Sequence, residues 1–315
     1  MCRLGIVFPG QGSQYVGMGK DFYVEFKEAR DTFAEAQDVL KFNIAELCFE
    51  GPKEDLDLTI NTQTTVLTMT VAAYRILEKE ADTKPAAMAG HSLGEYSALH
   101  AAGAISFADA LSLVNIRGKY LEEAAPARSG CMAAIMGASK ELVESTCRDI
   151  NKTNGAVVEL VNINSPNQFV IAGHTKAVET VIIKAKERGA KRAVKLPISV
   201  PCHCSLLDQV SKKFEEDLSR VEIKDCAVKV IPNYDPFILH SKETTRTLLA
   251  KQFNSLVRWQ ETIEKMIEMG IDTIIEIGPK RTLSGLIKRI DRNIRTLNVE
   301  DMVSLKKTIN FINDL

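Results

Sequence analysis

Net charge is almost absent from this sequence: 40 lysines and arginines stand against 41 aspartates and glutamates, a formal charge of -1. No global field recruits nucleic acid or anionic lipid, so those classes of partner are disfavoured at the outset. Long apolar runs are missing as well. The N-terminus offers one arginine, Arg3, and a short run from Leu4 to Phe8, and nothing approaches the ~18 apolar residues needed to cross a bilayer, which speaks against secretion and membrane spanning. A disulfide framework is lacking too. The seven cysteines, at 2, 48, 131, 147, 202, 204 and 226, are odd in number and scattered, which suits a reducing, cytoplasmic setting. No internal repeat or low-complexity tract appears. What remains is the composition of an ordinary folded protein, 45% hydrophobic and 26% charged. At roughly 150 residues per domain, 315 residues make one large domain or two modest ones with a sizeable core.

Local patterning divides the chain into three blocks. The first opens with the strand-like Leu4–Phe8 and breaks into the loop Pro9-Gly10-Gln11-Gly12-Ser13-Gln14. Helices follow at Gln63 to Glu80 and Ser106 to Ala125, where apolar residues recur at three- and four-residue steps. The second block reads as strand Cys131–Gly137, helix Lys140–Asn151, strand Val157–Ile163, strand Phe169–Gly173, helix Thr175–Arg188 and strand Ala193–Val200. That βαββαβ order matches a ferredoxin-like motif, with Ser165-Pro166-Asn167 as the turn between its middle strands. The third block returns to alternation, with strand Ile274–Ile277, a stop at Gly278-Pro279 and a basic helix Thr282–Ile290. These blocks predict an α/β fold in which the first and third share one parallel sheet, 1–126 and 198–315, and the second, 127–197, is an inserted small subdomain.

Gly90-His91-Ser92-Leu93-Gly94 is the sharpest local motif. A G-x-S-x-G sequence after an apolar strand and before a helix describes a nucleophile elbow, whose serine sits on a strained turn beside the free N–H groups of the helix start, that of Leu93 among them. A chance Gly-rich turn fits the same five residues. A serine nucleophile needs a base, and five histidines are present. His91 would point away across the turn, His100 lies in the following helix, and His174 sits in the inserted subdomain. His203 follows an alternating strand and Pro201, immediately before a helix start at Ser205, a strand-end position of the kind at which open α/β sheets place their sites. A histidine capping that helix is the plainer reading. Its neighbours Cys202 and Cys204 suggest zinc, but Cys-His-Cys in direct succession lacks the gap that turns two thiolates to one ion.

Arg117 occupies the apolar stripe of its helix, between Leu113, Val114 and Tyr120, Leu121. A guanidinium there wants an anion, an internal acid or a substrate carboxylate, unless the side chain snorkels to water. Two phosphate motifs fail on spacing. Tyr15 stands where a dinucleotide fingerprint needs its third glycine, and Met18 where a P-loop needs lysine. The 9–14 loop reads better as main-chain N–H groups, notably that of Gln11, turned toward the serine.

Taken together, Phe8-Pro9-Gly10-Gln11-Gly12-Ser13-Gln14, Gly90-His91-Ser92-Leu93-Gly94-Glu95-Tyr96-Ser97-Ala98-Leu99, Arg117-Gly118-Lys119, Asn162-Ile163-Asn164-Ser165-Pro166, Ser199-Val200-Pro201-Cys202-His203-Cys204 and Glu276-Ile277-Gly278-Pro279 occur in the order seen in malonyl-CoA:acyl carrier protein transacylases. The chain resembles that family from Leu4 to about Ile290. The resemblance implies an α/β-hydrolase-like large subdomain interrupted by a ferredoxin-like one. It also implies Ser92 as acyl-carrying nucleophile, His203 as general base and acid, Gln11 and Leu93 as oxyanion-hole amides, Arg117 as partner of the malonyl carboxylate, and Gln252 as the residue whose main-chain carbonyl holds the histidine. Leu256 and Cys202 depart from the family's usual proline and small residue.

The activity so implied is transfer of malonyl from malonyl-CoA to the phosphopantetheine thiol of an acyl carrier protein in fatty acid biosynthesis, with no metal and no cofactor beyond the coenzyme A carried by the substrate. A serine acyl hydrolase, an acyltransferase serving polyketide synthase modules and a non-catalytic carrier-binding module remain as alternatives. Carrier proteins of this kind are acidic, so Lys191, Arg192 and Lys195, or Lys288, Arg289 and Arg292, are candidate docking clusters, with ordinary solvated charge as the competing reading.

Overall fold

The computed structural model describes residues 2–124, 130–198 and 200–315. Among the described residues nine strands form two sheets. In chain order they are β1 (Leu4–Phe8), β2 (Ala87–Gly90), β3 (Gly130–Met136), β4 (Val158–Ser165), β5 (Gln168–His174), β6 (Arg192–Lys195), β7 (Lys229–Ile231), β8 (Thr273–Ile277) and β9 (Arg295–Val299). One sheet has the order β7-β2-β1-β8-β9 and every pairing in it is parallel. Its members come from the first and third blocks of the sequence, as the patterning predicts.

β1, β2 and β8 are buried along their whole length because both faces of this sheet are covered. Ile6, Phe8, Met88 and Ile275 pack into the main core beneath the helix Thr59–Glu80, and Val7, Ala87, Ala89 and Ile274 pack oppositely against Trp259, Ile263 and Leu286. An apolar run with no polar face is what such a strand requires.

The second sheet is antiparallel, in the order β4-β5-β3-β6, and with the helices Lys140–Asn154 and Thr175–Glu187 it makes the expected ferredoxin-like unit. Period-two alternation divides its residues between two faces. Ala133, Ile135, Phe169 and Ile171 meet the unit's own helices, whereas Met132, Val170 and Ala172 turn toward the main core. One expected strand is shorter than its pattern. Pairing in β6 stops at Lys195, followed by a single bond from Leu196 N–H to the Met132 carbonyl, and Pro197, which has no N–H to give, ends the ladder. The expected subdomain limit at 126/127, the expected helix end at Ala125, and Ser199, within the strand expected to reach Val200, lie outside the described residues. Among the described residues no helix is long and apolar enough to cross a membrane.

Candidate active site

Ser92 stands at the carboxyl end of β2, where the chain turns into the helix Gly94–Ala101. Its φ is 53°, a left-handed conformation that a non-glycine residue holds only where surrounding contacts impose it. The flanking glycines explain how the turn closes. A Cβ on Gly90 would lie 1.9 Å from the carbonyl carbon of Gly94, and one on Gly94 would lie 2.0 Å from the Phe8 carbonyl oxygen. Only bare backbone fits this crossing of strand and helix.

Asn233, just beyond β7, pins the turn from below. Its side-chain oxygen accepts from Ser92 N–H at 2.6 Å and its amide donates to the Gly90 carbonyl at 2.5 Å.

His203 is also left-handed, with φ 64°. It does not sit at the end of a parallel strand as its sequence context suggests. It lies in the segment between β6 and the short 3-10 turn Ser205–Leu207, which leads into the helix Asp208–Ser219. Its Nδ1–H donates to the main-chain carbonyl of Gln252 at 2.7 Å, which leaves the Nε2 lone pair facing the Ser92 hydroxyl, also at 2.7 Å. Burial, reinforced by the nearby charge of Arg117, pushes this imidazole down to about 3, so it is neutral at physiological pH and free to accept a proton. Leu256 does not displace the carbonyl that orients it, because Val257 is anchored to β4 by two main-chain bonds, to Val161 at 2.8 Å and to Ile163 at 3.0 Å.

The other histidines are engaged elsewhere. His91 lines the same cavity, but its Nε2 lies 2.9 Å from Asn164 Oδ1. His100 faces the Ile105 carbonyl, His174 accepts from Val157 N–H, and His240 is fully buried against Glu95.

Arg117 projects from the helix Phe107–Glu123 and is 1% exposed. Nη1 donates to Gln63 Oε1 at 2.7 Å, and Nη2 donates to Ser92 Oγ at 3.1 Å and to Gln252 Oε1 at 3.3 Å. Nε has no partner. Among the described residues no carboxylate lies within ion-pair distance of this guanidinium, so an internal salt bridge does not account for it. The Phe253 ring, 5.5 Å away, adds only the weaker attraction of an aromatic face. A buried cation held by neutral amides and a hydroxyl retains its full charge for an incoming anion.

The N–H groups of Gln11 and Leu93 donate to nothing among the described residues. Gly10 lets their two loops meet, since a Cβ there would lie 2.4 Å from the His91 carbonyl oxygen and 3.6 Å from Leu93 N. Gln11, Ser92, Arg117 and His203 border one cavity of about 440 Å³ between the two sheets, walled on the far side by Met132, Ala134 and Val170. Cys202 also lines it. Burial pushes that thiol up to about 11, so it stays protonated and does not compete as a nucleophile. All seven cysteines are free thiols.

A wider groove of about 1180 Å³ adjoins this cavity through Gln168, which borders both. Lys140, Lys191, Lys288, Arg289 and Arg292 line it, with Glu141 and Glu261 as its acids. The two basic clusters are therefore not equivalent. Lys288, Arg289 and Arg292 converge with Lys191 on the groove, whereas Lys195 is paired with Glu179 at 3.3 Å.

Gln63, Asn233, Glu95 and His240 are absent from the expected site, although the first two hold Arg117 and the Ser92 turn. Gln63 alone left a trace, a polar side chain on the same helical stripe as Val66, Leu67 and Thr70.

The acyl transferase domain family model matches residues 6–309. A malonyl CoA-acyl carrier protein transacylase of Bacillus subtilis is 42% identical over 98% of this chain and 97% of its own length. One from Escherichia coli is 42% identical over 92% of this chain and 93% of its own. Among solved structures, the malonyl CoA-acyl carrier protein transacylase of Coxiella burnetii superposes with a TM-score of 0.95 at 40% identity, covering 99% of this chain and 98% of its own. A malonyl-transacylase in complex with a type II PKS acyl-carrier protein superposes equally, with a TM-score of 0.95 at 41% identity over 98% of this chain and 99% of its own. By sequence and by fold, the chain is an acyltransferase and belongs to the acyl transferase domain family, among the malonyl CoA-acyl carrier protein transacylases.

Proposed function

We propose that this enzyme moves a malonyl group from malonyl-CoA to the phosphopantetheine thiol of an acyl carrier protein in two ping-pong half-reactions. His203 Nε2 takes the Ser92 hydroxyl proton as Oγ attacks the thioester carbonyl, and the N–H groups of Gln11 and Leu93 stabilise the resulting oxyanion. The C–S bond breaks, the proton passes to the departing sulfur, and coenzyme A leaves with a malonyl ester remaining on Ser92. The carrier thiol then gives its proton to His203, attacks the ester carbonyl, and releases Ser92 Oγ, which recovers the proton.

Arg117 holds the free carboxylate of the acyl group. An acetyl or longer neutral chain leaves the guanidinium without an anion and is disfavoured for that reason. Coenzyme A arrives with the substrate and departs as product, and no further cofactor takes part.

The observation that carries this reading is the convergence on Ser92 Oγ of a neutral imidazole at 2.7 Å and an acid-free guanidinium at 3.1 Å. A general esterase has no use for the second. The basic groove supplies the docking face for an acidic carrier, whose arm reaches Ser92 past Gln168. Fatty acid synthesis in the cytoplasm is the proposed setting. The likeness to a transacylase solved with a polyketide carrier makes polyketide supply the second reading, and transfer rates to the two carrier types separate them.

Intact mass spectrometry after mixing with malonyl-CoA or acetyl-CoA tests the scheme. A malonyl adduct that disappears in Ser92→Ala, with little acetyl adduct, is expected. Equal labelling by both acyl donors ends the Arg117 assignment, and loss of label to water faster than to a carrier thiol favours a hydrolase.

A further inference from the structure

Beneath the catalytic pair lies a buried carboxylate that the proposed chemistry does not use. Glu95, in the first turn of the helix after Ser92, is 0% exposed. Its Oε1 accepts from His240 Nε2 at 2.9 Å, and its Oε2 accepts from Asn233 N–H and from Gln252 Nε2, each at 2.9 Å. Gln252 Nε2 spends its second hydrogen on the Ser92 carbonyl, again at 2.9 Å. With both hydrogens committed, Gln252 Oε1 can face only the other way, and there it meets Arg117 Nη2 at 3.3 Å.

The direction of this amide is therefore determined. Turning it over would set oxygen against the Glu95 carboxylate and the Ser92 carbonyl, and an NH2 against a guanidinium, mismatches that each leave a buried polar group unpaired. The amide also keeps two charges apart. Direct contact between Glu95 and Arg117 would make a closed ion pair with little attraction left for a substrate anion, whereas the intervening amide anchors the guanidinium to the carboxylate and leaves its charge uncompensated.

We infer that the side chain of Gln252 is a specificity-positioning residue: it aims the Arg117 guanidinium at the acyl carboxylate and insulates it from Glu95. This is a second duty, separate from that of the Gln252 main-chain carbonyl toward His203, and it rests on the reading of Arg117 as the carboxylate partner.

The two duties can be separated because side-chain substitution spares the carbonyl. Gln252→Met keeps length and volume but removes both hydrogen-bonding ends. Gln252→Glu, assayed at about pH 8, keeps an acceptor on Arg117 and adds a charge in contact with it. Both variants of the full-length enzyme are compared with wild type for single-turnover loading of Ser92 from malonyl-CoA and from acetyl-CoA. The expected result is a malonyl-to-acetyl preference reduced about tenfold or more in each, with KM for malonyl-CoA rising more than kcat falls.

A merely structural role predicts something else, an equal loss for the two donors, and that result overturns the inference. If Gln252→Met does not fold, Gln252→Glu alone decides by the same ratio. Arg117→Ala, run in parallel, separates the two levels of the argument. Should it leave the preference unchanged, the carboxylate reading itself is wrong; should it abolish the preference while both Gln252 variants retain it, only the role of Gln252 falls.

Discussion

The nucleophile and its base reach the same strained backbone by different routes. Ser92 gains its left-handed φ at a strand-to-helix crossing of the parallel sheet, where two glycines clear the way and Asn233 ties the turn from both sides. His203 gains its own in a segment that leaves the antiparallel sheet, and its ring is fixed by one carbonyl on the separate helix Thr245–Asn254. Rigid backbone therefore defines the nucleophile, whereas packing against a helix distant in sequence positions the base. Damage to the first should destroy the local fold, and damage to the second should impair chemistry while sparing the fold.

Gly90→Ala breaks the comparison hardest. The new Cβ would fall 1.9 Å from backbone atoms of Gly94 that cannot swing aside, so a stability loss of about 4 kcal/mol or more, or failure to fold, is expected in denaturant titration, together with loss of Ser92 labelling. His203→Ala should behave in the opposite way. Malonyl loading should fall about 10²- to 10⁴-fold in single-turnover assays while the unfolding midpoint moves far less than for Gly90→Ala. Asn233→Ala sits between them. It leaves the buried Ser92 N–H and Gly90 carbonyl without partners, for about 2 kcal/mol of stability and a smaller fall in loading, and a variant as stable and active as wild type would remove Asn233 from the account.

The same contrast governs what could be read from the sequence. An elbow announces itself because its backbone crossing tolerates only glycine at 90 and 94, so steric demand is written at fixed spacing around Ser92. The parallel strands are legible for a similar reason, since burial on both faces forces continuous apolar runs, and the βαββαβ unit because alternation and turns are local. The base was reachable only by elimination and by likeness to a family, and its expected strand-end setting was wrong because apolar alternation through Val200 outlasts the pairing that Pro197 ends. Buried polar partners leave no local mark. Glu95, Asn233, His240 and Gln252 are neighbours only through tertiary folding, with a donor and its acceptor up to 157 positions apart. Glu276 illustrates the converse. It belongs to a Glu-Ile-Gly-Pro motif that helps carry the family resemblance, and its carboxylate accepts from Leu283 and Ser284 N–H at 2.9 and 2.7 Å and caps the helix that closes one wall of the cavity.

Titration supplies the finest test of the difference, because only the base carries a proton that depends on packing. In the folded chain burial first, and the Arg117 charge second, bring His203 from 6.5 to about 3. Between those values the unfolded chain binds a proton at this position and the folded chain does not, so stability must increase with pH across that interval and be lost as pH falls through it. The slope of unfolding free energy against pH should therefore be shallower in His203→Ala than in wild type below about pH 6.5, with the two converging above it. Activity has the same sign. The neutral imidazole is the working form, so the acid limb of kcat/KM for Ser92 loading should lie well below 6.5 and show no inflection there. Arg117→Ala removes the second cause but leaves the larger first one, so it should carry the limb upward without bringing it to the ordinary histidine value. A limb near 6.5 in the wild-type enzyme would mean that the cavity admits enough water to solvate the imidazolium, and the picture of a base held neutral by packing between the two sheets would have to be given up.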